Sequence, residues 1–503
     1  MDPKGLKDDG NRAGRESQPL ALRAMPSSAQ TVLVLSVWHI ESVVERVRSP
    51  SYDLMGVDSS IVMRFLRLFC CCLFMAVAHH ASAEVKPQKQ KIEASSQEGV
   101  PKVMAEAQIV ALFFERNLEL IASLYQIDEA EAQEWIASAI PNPFLSFGFN
   151  ELGGYGGSFS ANPQVGQKAL GYNLIVTQLI ETNGKRALRT ESSQIGREAV
   201  ETDFKDTVRI LLNRVRRAIY DVLLAQKALS VAHDVAHRYE KIVHANQLRH
   251  SVGDISESDL VRVEVESLKA KGEVDKAIAS LKSNRSALAN LLNWPQEAMI
   301  VDLVDEWPSV PDYLEKSKDT ALVEEAYATR PDLKAQTLRA DQMEREVELA
   351  RRLVVPDVTV SAGFVHDGGN LVTDSGIFNI SAPIPVFNQF QGDIGKAVAG
   401  LNQARLQKEQ VRNTIHQEVI SAHASLMGAA AVVARFEHEV NQRIEKVRDS
   451  AEFAYGQGAI GLIDLLDAER NYKAMTLDYY LALKDKALAY ADLLAAIGEE
   501  TRH

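Results

Sequence analysis

The residues best placed to do chemistry in this chain are acidic. Gly253-Asp254-Ile255-Ser256-Glu257-Ser258-Asp259 makes one carboxylate-rich turn, and Gly458 is followed by Asp464 and Asp467 in a second. Carboxylates converging on one opening favour cations and restrict passage. Asp and Glu near a helix N-terminus are equally capping and dipole partners, and both readings stand at this level. Asp467 and Arg262 occupy corresponding positions in the two stretches, which allows a tie across the turns. His233 and His237 stand four apart on a predicted helix, a spacing that can hold zinc. No cysteine joins them and Asp234 falls on a neighbouring face, so they read as polar surface positions. There is no Gly-rich phosphate loop, no nucleophile elbow and no carboxylate pair in a pocket-like context. The expectation is no enzyme activity, no catalytic residue, no cofactor and no resident metal.

These turns belong to a chain whose landmarks recur. Asn117-Leu118-Glu119-Leu120 returns as Arg330-Pro331-Asp332-Leu333, and Pro143 as Pro356, at one constant offset. Asn183 returns as Asn388, Gly253 as Gly458, Asp259-Leu260 as Asp464-Leu465 and Glu264 as Glu469, at a second offset. The unit is roughly 200 residues, far longer than a solenoid repeat. The second offset is shorter by about eight residues, which places a length difference in the Gly- and Ser-rich stretch 152–170, an expected exposed loop tip. Two tandem structural repeats follow from this.

The 503 residues carry 24% charged and 46% apolar side chains and a net charge of −13. That is ordinary for a folded protein, and the negative charge argues against a broad nucleic-acid surface. All three cysteines are adjacent, Cys70 to Cys72. They sit in an apolar run between Met63-Arg64-Phe65-Leu66-Arg67 and Ala81-Ser82-Ala83, the pattern of a secretory signal cut after Ala83. Residues 1–62 read as a mis-called or disordered extension upstream of a start at Met63. Leu68-Phe69 before Cys70 is no lipobox, so no lipid anchor is expected. After residue 84 no run of 18 or more apolar residues predicts a membrane-spanning helix.

Residues 84–102 read as a flexible lead-in, 103–292 as the first repeat, 293–318 as a linker rich in Trp-Pro, 319–497 as the second repeat and 498–503 as a tail. In the first repeat a helix from Val103 to Ile140 stops at Pro141-Asn142-Pro143. Strands follow at about 143–150 and 172–180, then a helix unbroken to about Arg249, near 98 Å long at 1.5 Å per residue. A turn at Gly253 leads to a shorter helix over 256–292. The second repeat predicts a helix over 320–354, strands at about 357–365 and 376–384, a long helix over 392–455, a turn over 456–461 and a last helix over 462–497. Two short helices laid end to end match one long helix. Antiparallel packing in a coiled-coil-like layer is the economical arrangement.

The strands alternate. Leu145, Phe147 and Phe149 share one face, as do Val358 and Val360, and Phe378 and Ile380, while Ser, Thr, Gly and Asn fill the other. A lone hairpin is not stable by itself, and four strands leave open edges. An exported chain with strands of about 9–10 residues can cross a bilayer at a tilt. Backbone groups in hydrocarbon demand closure. Three copies would close twelve strands, with the seven apolar positions toward lipid. A soluble β-layer capping a helical bundle alternates in the same way.

At this point the chain resembles the TolC family of outer-membrane efflux ducts, across essentially all of residues 103–497. The resemblance rests on the duplicated order, the helix start at Asn117, the Pro-Asn-Pro before the first strand, and Gly253 and Gly458 followed by Asp-Leu-x-x-x-Glu. Within the family it is most similar to the CzcC-like heavy-metal efflux branch, through Glu181-Thr182-Asn183-Gly184-Lys185-Arg186 and the stretch Pro383 to Gly392. The resemblance implies a mainly α fold with a small β part: a homotrimer with a twelve-stranded β-barrel in the outer membrane of a Gram-negative bacterium. Its long antiparallel helices would form an α-barrel through the periplasm, docked to a periplasmic adaptor and an inner-membrane RND-type pump. It implies a passive exit duct, with divalent metal cations, drugs and secreted protein all open as cargo. Some members of the metal branch carry a lipidated N-terminal cysteine, and this chain after Ala83 has none. Gly253, Asp254, Glu257, Asp259, Gly458, Asp464 and Asp467 are the expected mouth and docking surface. The other class of reading is a structural periplasmic coiled-coil protein without a channel.

Overall fold

The computed structural model describes residues 103–149, 171–294, 302–367 and 373–498. The expected signal, its cleavage site and the loop tip lie outside the described residues. The elements are β1 (Val103–Met104), α1 (Glu106–Arg116), α2 (Leu118–Ser138), β2 (Phe144–Phe149), β3 (Tyr172–Ile180), α3 (Lys185–Ser251) and α4 (Glu257–Leu291). Then come β4 (Asp302–Leu303), α5 (Asp312–Lys316), α6 (Asp319–Thr329), α7 (Pro331–Arg352), β5 (Val358–Asp367), β6 (Thr373–Ser381), α8 (Gln391–Arg435), α9 (Asn441–Gly456) and α10 (Leu462–Ile497).

Two helices read as continuous are broken, and the recurring landmarks break them. Asn117 is extended and caps α2 by accepting from the Leu120 N–H at 2.8 Å. Its amide also donates to the Leu291 carbonyl at 2.7 Å, tying the joint to α4. At the matching joint Pro331 opens α7, and a residue before proline is pushed out of the helical region, so Arg330 is extended. Its guanidinium is buried and forks onto Asp332 at 3.0 and 2.6 Å. The third difference is in the last long helix. Five residues of π-helix, Phe436–Val440, separate α8 from α9.

α3 has 67 residues, about 100 Å of helix. Its first part is flanked by α2 and α7, through Arg197 to Glu134 at 2.8 Å and Ser192 to Glu346 at 2.5 Å. Further along it packs on α4 and α10, with Lys271 meeting Glu240 at 2.9 Å. Three apolar cores hold this layer. The first gathers Phe113, Leu120, Leu211, Val215, Ile219 and Leu288 around Tyr220. The second joins α6, α8 and α10 through Leu322, Ile415, Leu426 and Leu493. The third, toward the turns, joins Val235, Tyr239, Val263 and Leu466. Each fully buried Leu, Ile or Phe is worth about 1.5–3 kcal/mol. By length and composition α8 also contains a window apolar enough to cross a membrane, running on toward α9, with 28% of that window buried.

β2, β3, β5 and β6 form one antiparallel sheet in that order, and the parallel pair β1–β4 makes a separate two-stranded sheet. The pairing is free of slips, so lateral rows are defined. Leu145, Val176, Ala362 and Phe378 make one row, and Phe149, Tyr172, His366 and Asp374 another. At Gly363 the strands approach so closely that a β-carbon would stand 2.4 Å from the Leu174 carbonyl oxygen. Only glycine fits there.

Candidate functional site

Sheet and turns mark the two ends of α3. Where the sheet meets the helices a polar knot fixes the junction. Asn183 and Gly184 are both left-handed, with φ of 57° and 66°, and turn the chain from β3 into α3. Asp357 takes the Lys185 ammonium and the Thr182 N–H, each at 2.8 Å. Burial pushes its carboxyl up, but these donors outweigh burial and hold it below the ordinary carboxylate value. Arg189 forks onto Glu181 at 2.6 and 3.1 Å beside it.

The pairing register puts Leu145, Phe147, Phe149, Val358, Val360, Phe378 and Ile380 on a single face of the sheet. Phe147, Phe149, Phe378 and Ile380 are exposed in the single chain. At the end far from the helices this face turns polar. Tyr172 stacks on His366 at 4.7 Å, and His366 Nδ1 lies 2.6 Å from Asp374 Oδ1. The face is thus an apolar band that ends in an aromatic and polar row. The opposite face carries Ser146, Thr177, Ser361 and Asn379 among Ile175 and Ile377, and Thr177 and Ser361 share a hydrogen bond at 3.1 Å.

At the other end the two turns are built alike. Gly253 has φ of 81° and Gly458 of 73°. The Gly253 N–H donates to the His250 carbonyl at 3.0 Å and the Asp254 N–H to the Arg249 carbonyl at 2.9 Å. Gly458 and Ala459 repeat both bonds onto Tyr455 and Ala454. This is the Schellman termination, which needs a left-handed residue at that position.

The acidic candidates are mostly engaged. Asp254 pairs with Arg249 at 2.7 Å, and Arg249 stacks on Tyr455 at 5.0 Å, which joins the two turns. Ser256 caps α4, accepting from the Asp259 N–H at 3.1 Å and donating to Asp259 Oδ2 at 2.8 Å. Asp464 caps α10 by accepting from the Gly461 N–H at 3.2 Å. The tie that the corresponding positions allow between Asp467 and Arg262 is not the one formed. Asp467 pairs with Arg470 at 3.2 Å, and Arg470 reaches Glu266 on α4 at 2.9 Å. Arg470 projects from the α10 face that meets α4, which positions alone do not reveal. Glu257, in the first turn of α4, has no partner among the described residues.

One group escaped attention except as a recurring landmark. Glu469 is 2% exposed and its Oε2 has no hydrogen-bond partner among the described residues. Burial pushes its carboxyl up, against the pull of Arg238 and Arg448. Those two guanidiniums stack on Tyr472 at 5.8 and 4.0 Å, tying α3, α9 and α10. Among the described residues no group of three His, Cys, Asp or Glu could hold a metal. His237 meets Glu240 at 3.9 Å.

The sequence profile of a family described as outer membrane efflux protein matches residues 110–293 and 322–499. The chain is 25% identical over 360 residues to the cobalt-zinc-cadmium resistance protein CzcC of Cupriavidus metallidurans, covering 70% of this chain and 80% of that protein. It is 23% identical over 402 residues to nodulation protein T of Rhizobium leguminosarum bv. trifolii, covering 76% and 83%. Its fold matches the crystal structure of the outer membrane protein VceC of Vibrio cholerae with a TM-score of 0.66 at 18% identity, covering 78% of this chain and 96% of that one. The two stretches matched by the family profile each contain one hairpin, one of the two glycine turns and the long helix between them. On these grounds the chain belongs to the outer membrane efflux protein family.

Proposed function

We propose that this chain is one third of an exit duct. Three copies, each built from two tandem repeats, close a twelve-stranded barrel in the outer membrane and a helical barrel in the periplasm. An adaptor and an inner-membrane RND-type pump meet it at the turns around Gly253 and Gly458. The chain reaches that place after a signal is removed behind Ala83, without a lipid anchor. The observation that carries this reading is the sheet, with one face apolar along most of its length and, among the described residues, two free edges at β2 and β6. Four strands with open edges cannot stand in hydrocarbon. Alternating strand directions let any ring of whole copies close antiparallel.

The mouth is the second part of the proposal. Six turns brought together present Asp254, Glu257, Asp464 and Asp467 around one opening, and Glu257 supplies charge that no bond among the described residues offsets. The relation to a cobalt-zinc-cadmium resistance protein supports divalent cations as cargo. The test is to delete the gene and measure zinc, cobalt and cadmium tolerance and cell-associated metal. Restoration by this chain, and loss of restoration when both turns carry Gly253→Val and Gly458→Val, supports the reading. Unchanged metal handling on deletion removes the metal assignment. A detergent-independent soluble monomer removes the duct.

A further inference from the structure

The two free sheet edges specify their own register. This inference rests on the three-copy duct and adds what that reading leaves open, which residues meet across the seam. Within one chain a lateral walk carries Leu145 to Val176, Ala362 and Phe378. Closure without stagger would return Phe378 of one copy to Leu145 of the next. Barrels do not close that way, because strands must tilt. For twelve strands about 4.7 Å apart at 3.3 Å per residue, a tilt of about 35–45° means a stagger of about 12–17 residues around the barrel. Three identical copies share this as about four to six residues each, and alternation of faces requires an even number.

Proline chooses among the options, because it cannot donate to a ladder. β2 begins directly after Pro143, and β6 stops two residues before Pro383. A stagger of about four, in the sense that sets Phe378 against Phe149, puts Pro383 level with Phe144 and Pro143 level with Ile384. Both prolines then stand at the end of the seam. The opposite sense would lay Pro141 on Phe378 and Pro143 on Gly376, inside the length of β6 that pairs. A stagger of about six in the first sense would push Pro383 up to Ser146, inside β2.

We infer that β6 of one copy pairs antiparallel with β2 of its neighbour in the register Phe378 to Phe149 and Ile380 to Phe147. The partner is a second copy of this chain, and the seam continues the apolar face around the ring.

Disulfide trapping reads this directly. The cysteines at 70–72 are replaced by Ser in the background. Phe147→Cys/Ile380→Cys and Ser146→Cys/Ser381→Cys test both faces, since successive antiparallel pairs alternate between closer and wider kinds. Within one chain β2 and β6 stand three strand spacings apart, about 14 Å, beyond disulfide reach, so every link joins two copies. The expected result is covalent dimers and trimers from at least one of these pairs on mild oxidation of membranes. Links instead from Leu145→Cys/Phe378→Cys or Leu145→Cys/Asp374→Cys overturn the register. Light scattering in detergent without oxidation separates the two levels. Three copies with none of the expected links overturns the register alone, whereas a monomer overturns the duct.

Discussion

Placing an arginine on either side of one strand tests which face of the sheet meets lipid. β6 has nine residues, about 30 Å at 3.3–3.4 Å per residue. At a tilt of about 35–45° it spans roughly 21–25 Å of height, close to the apolar band of about 25 Å in such barrels. Its midpoint is Ile377, so Phe378 and Asn379 lie within two residues of the bilayer centre. Phe378 shares the apolar face with Leu145 and Ala362, and Asn379 shares the other face with Ser361 and Thr177. Phe378→Arg therefore presents a guanidinium to hydrocarbon near mid-depth, at a cost of about 2–4 kcal/mol per chain and roughly 6–12 kcal/mol for three copies. Asn379→Arg presents the same group to water in the lumen at little cost. The assay is the yield of heat-modifiable trimer on a gel from envelopes of equally expressing cells. The first variant should lose most of its trimer and the second retain it. Equal yields, or loss with Asn379→Arg alone, would refute the assignment of faces. The comparison isolates the face, because backbone, strand and depth are nearly the same for both.

Other outcomes follow from the joints. Gly253→Val and Gly458→Val each force a β-branched residue into a left-handed backbone, costing about 1–3 kcal/mol; adaptor cross-linking should fall while trimer yield is kept. Asp357 is held below its unfolded value, so its contribution to the sheet–helix junction is present above the ordinary carboxylate range and is lost as pH falls through the folded value. Lys185→Met should remove that extra acid sensitivity, read as melting temperature against pH. Glu469 has the opposite sign: its folded value is raised, so its ionisation costs stability at neutral pH and the cost lifts on acidification. Glu469→Gln should raise the melting temperature at pH 7 and flatten its pH dependence.

Much of this was legible because the signals are local. Period-two alternation sorted each strand into an apolar and a polar side, Phe147 with Phe149 and Ile380 with Phe378, and the pairing register then joined these sides into one face. The turns were legible because Gly253 and Gly458 satisfy a backbone demand that few residues meet. Much of what was missed depends on contacts between distant segments. Periodicity continues across Asn117 and Arg330 and masks two local signals, a capping Asn at 117 and a proline at 331; the bond of Asn117 to Leu291 and the grip of Arg330 on Asp332 then fix the breaks. The π-turn at Phe436–Val440 changes no residue pattern, because five helical residues look alike in either hydrogen-bond scheme. Glu469 resembled any helix carboxylate. Its burial comes from α3 and α9 packing on α10, and its recurrence with Glu264 was the one trace available. The pairs Asp254–Arg249 and Asp467–Arg470 are local, five and three residues apart; what packing alone reveals is the onward contact of Arg249 with Tyr455 and of Arg470 with Glu266.

The central claim is that three copies of this chain enclose a conducting path with an acidic mouth, and recording from the purified protein in a planar lipid bilayer tests it most directly. Discrete current steps with a preference for cations are expected, and the preference should weaken when Asp254→Asn, Glu257→Gln and Asp464→Asn are combined without loss of trimer. A well-folded trimer that inserts and gives no steps would contradict the duct and leave a structural periplasmic protein. Steps whose selectivity ignores the triple substitution would move the mouth away from Gly253 and Gly458 and leave the carboxylates as helix caps.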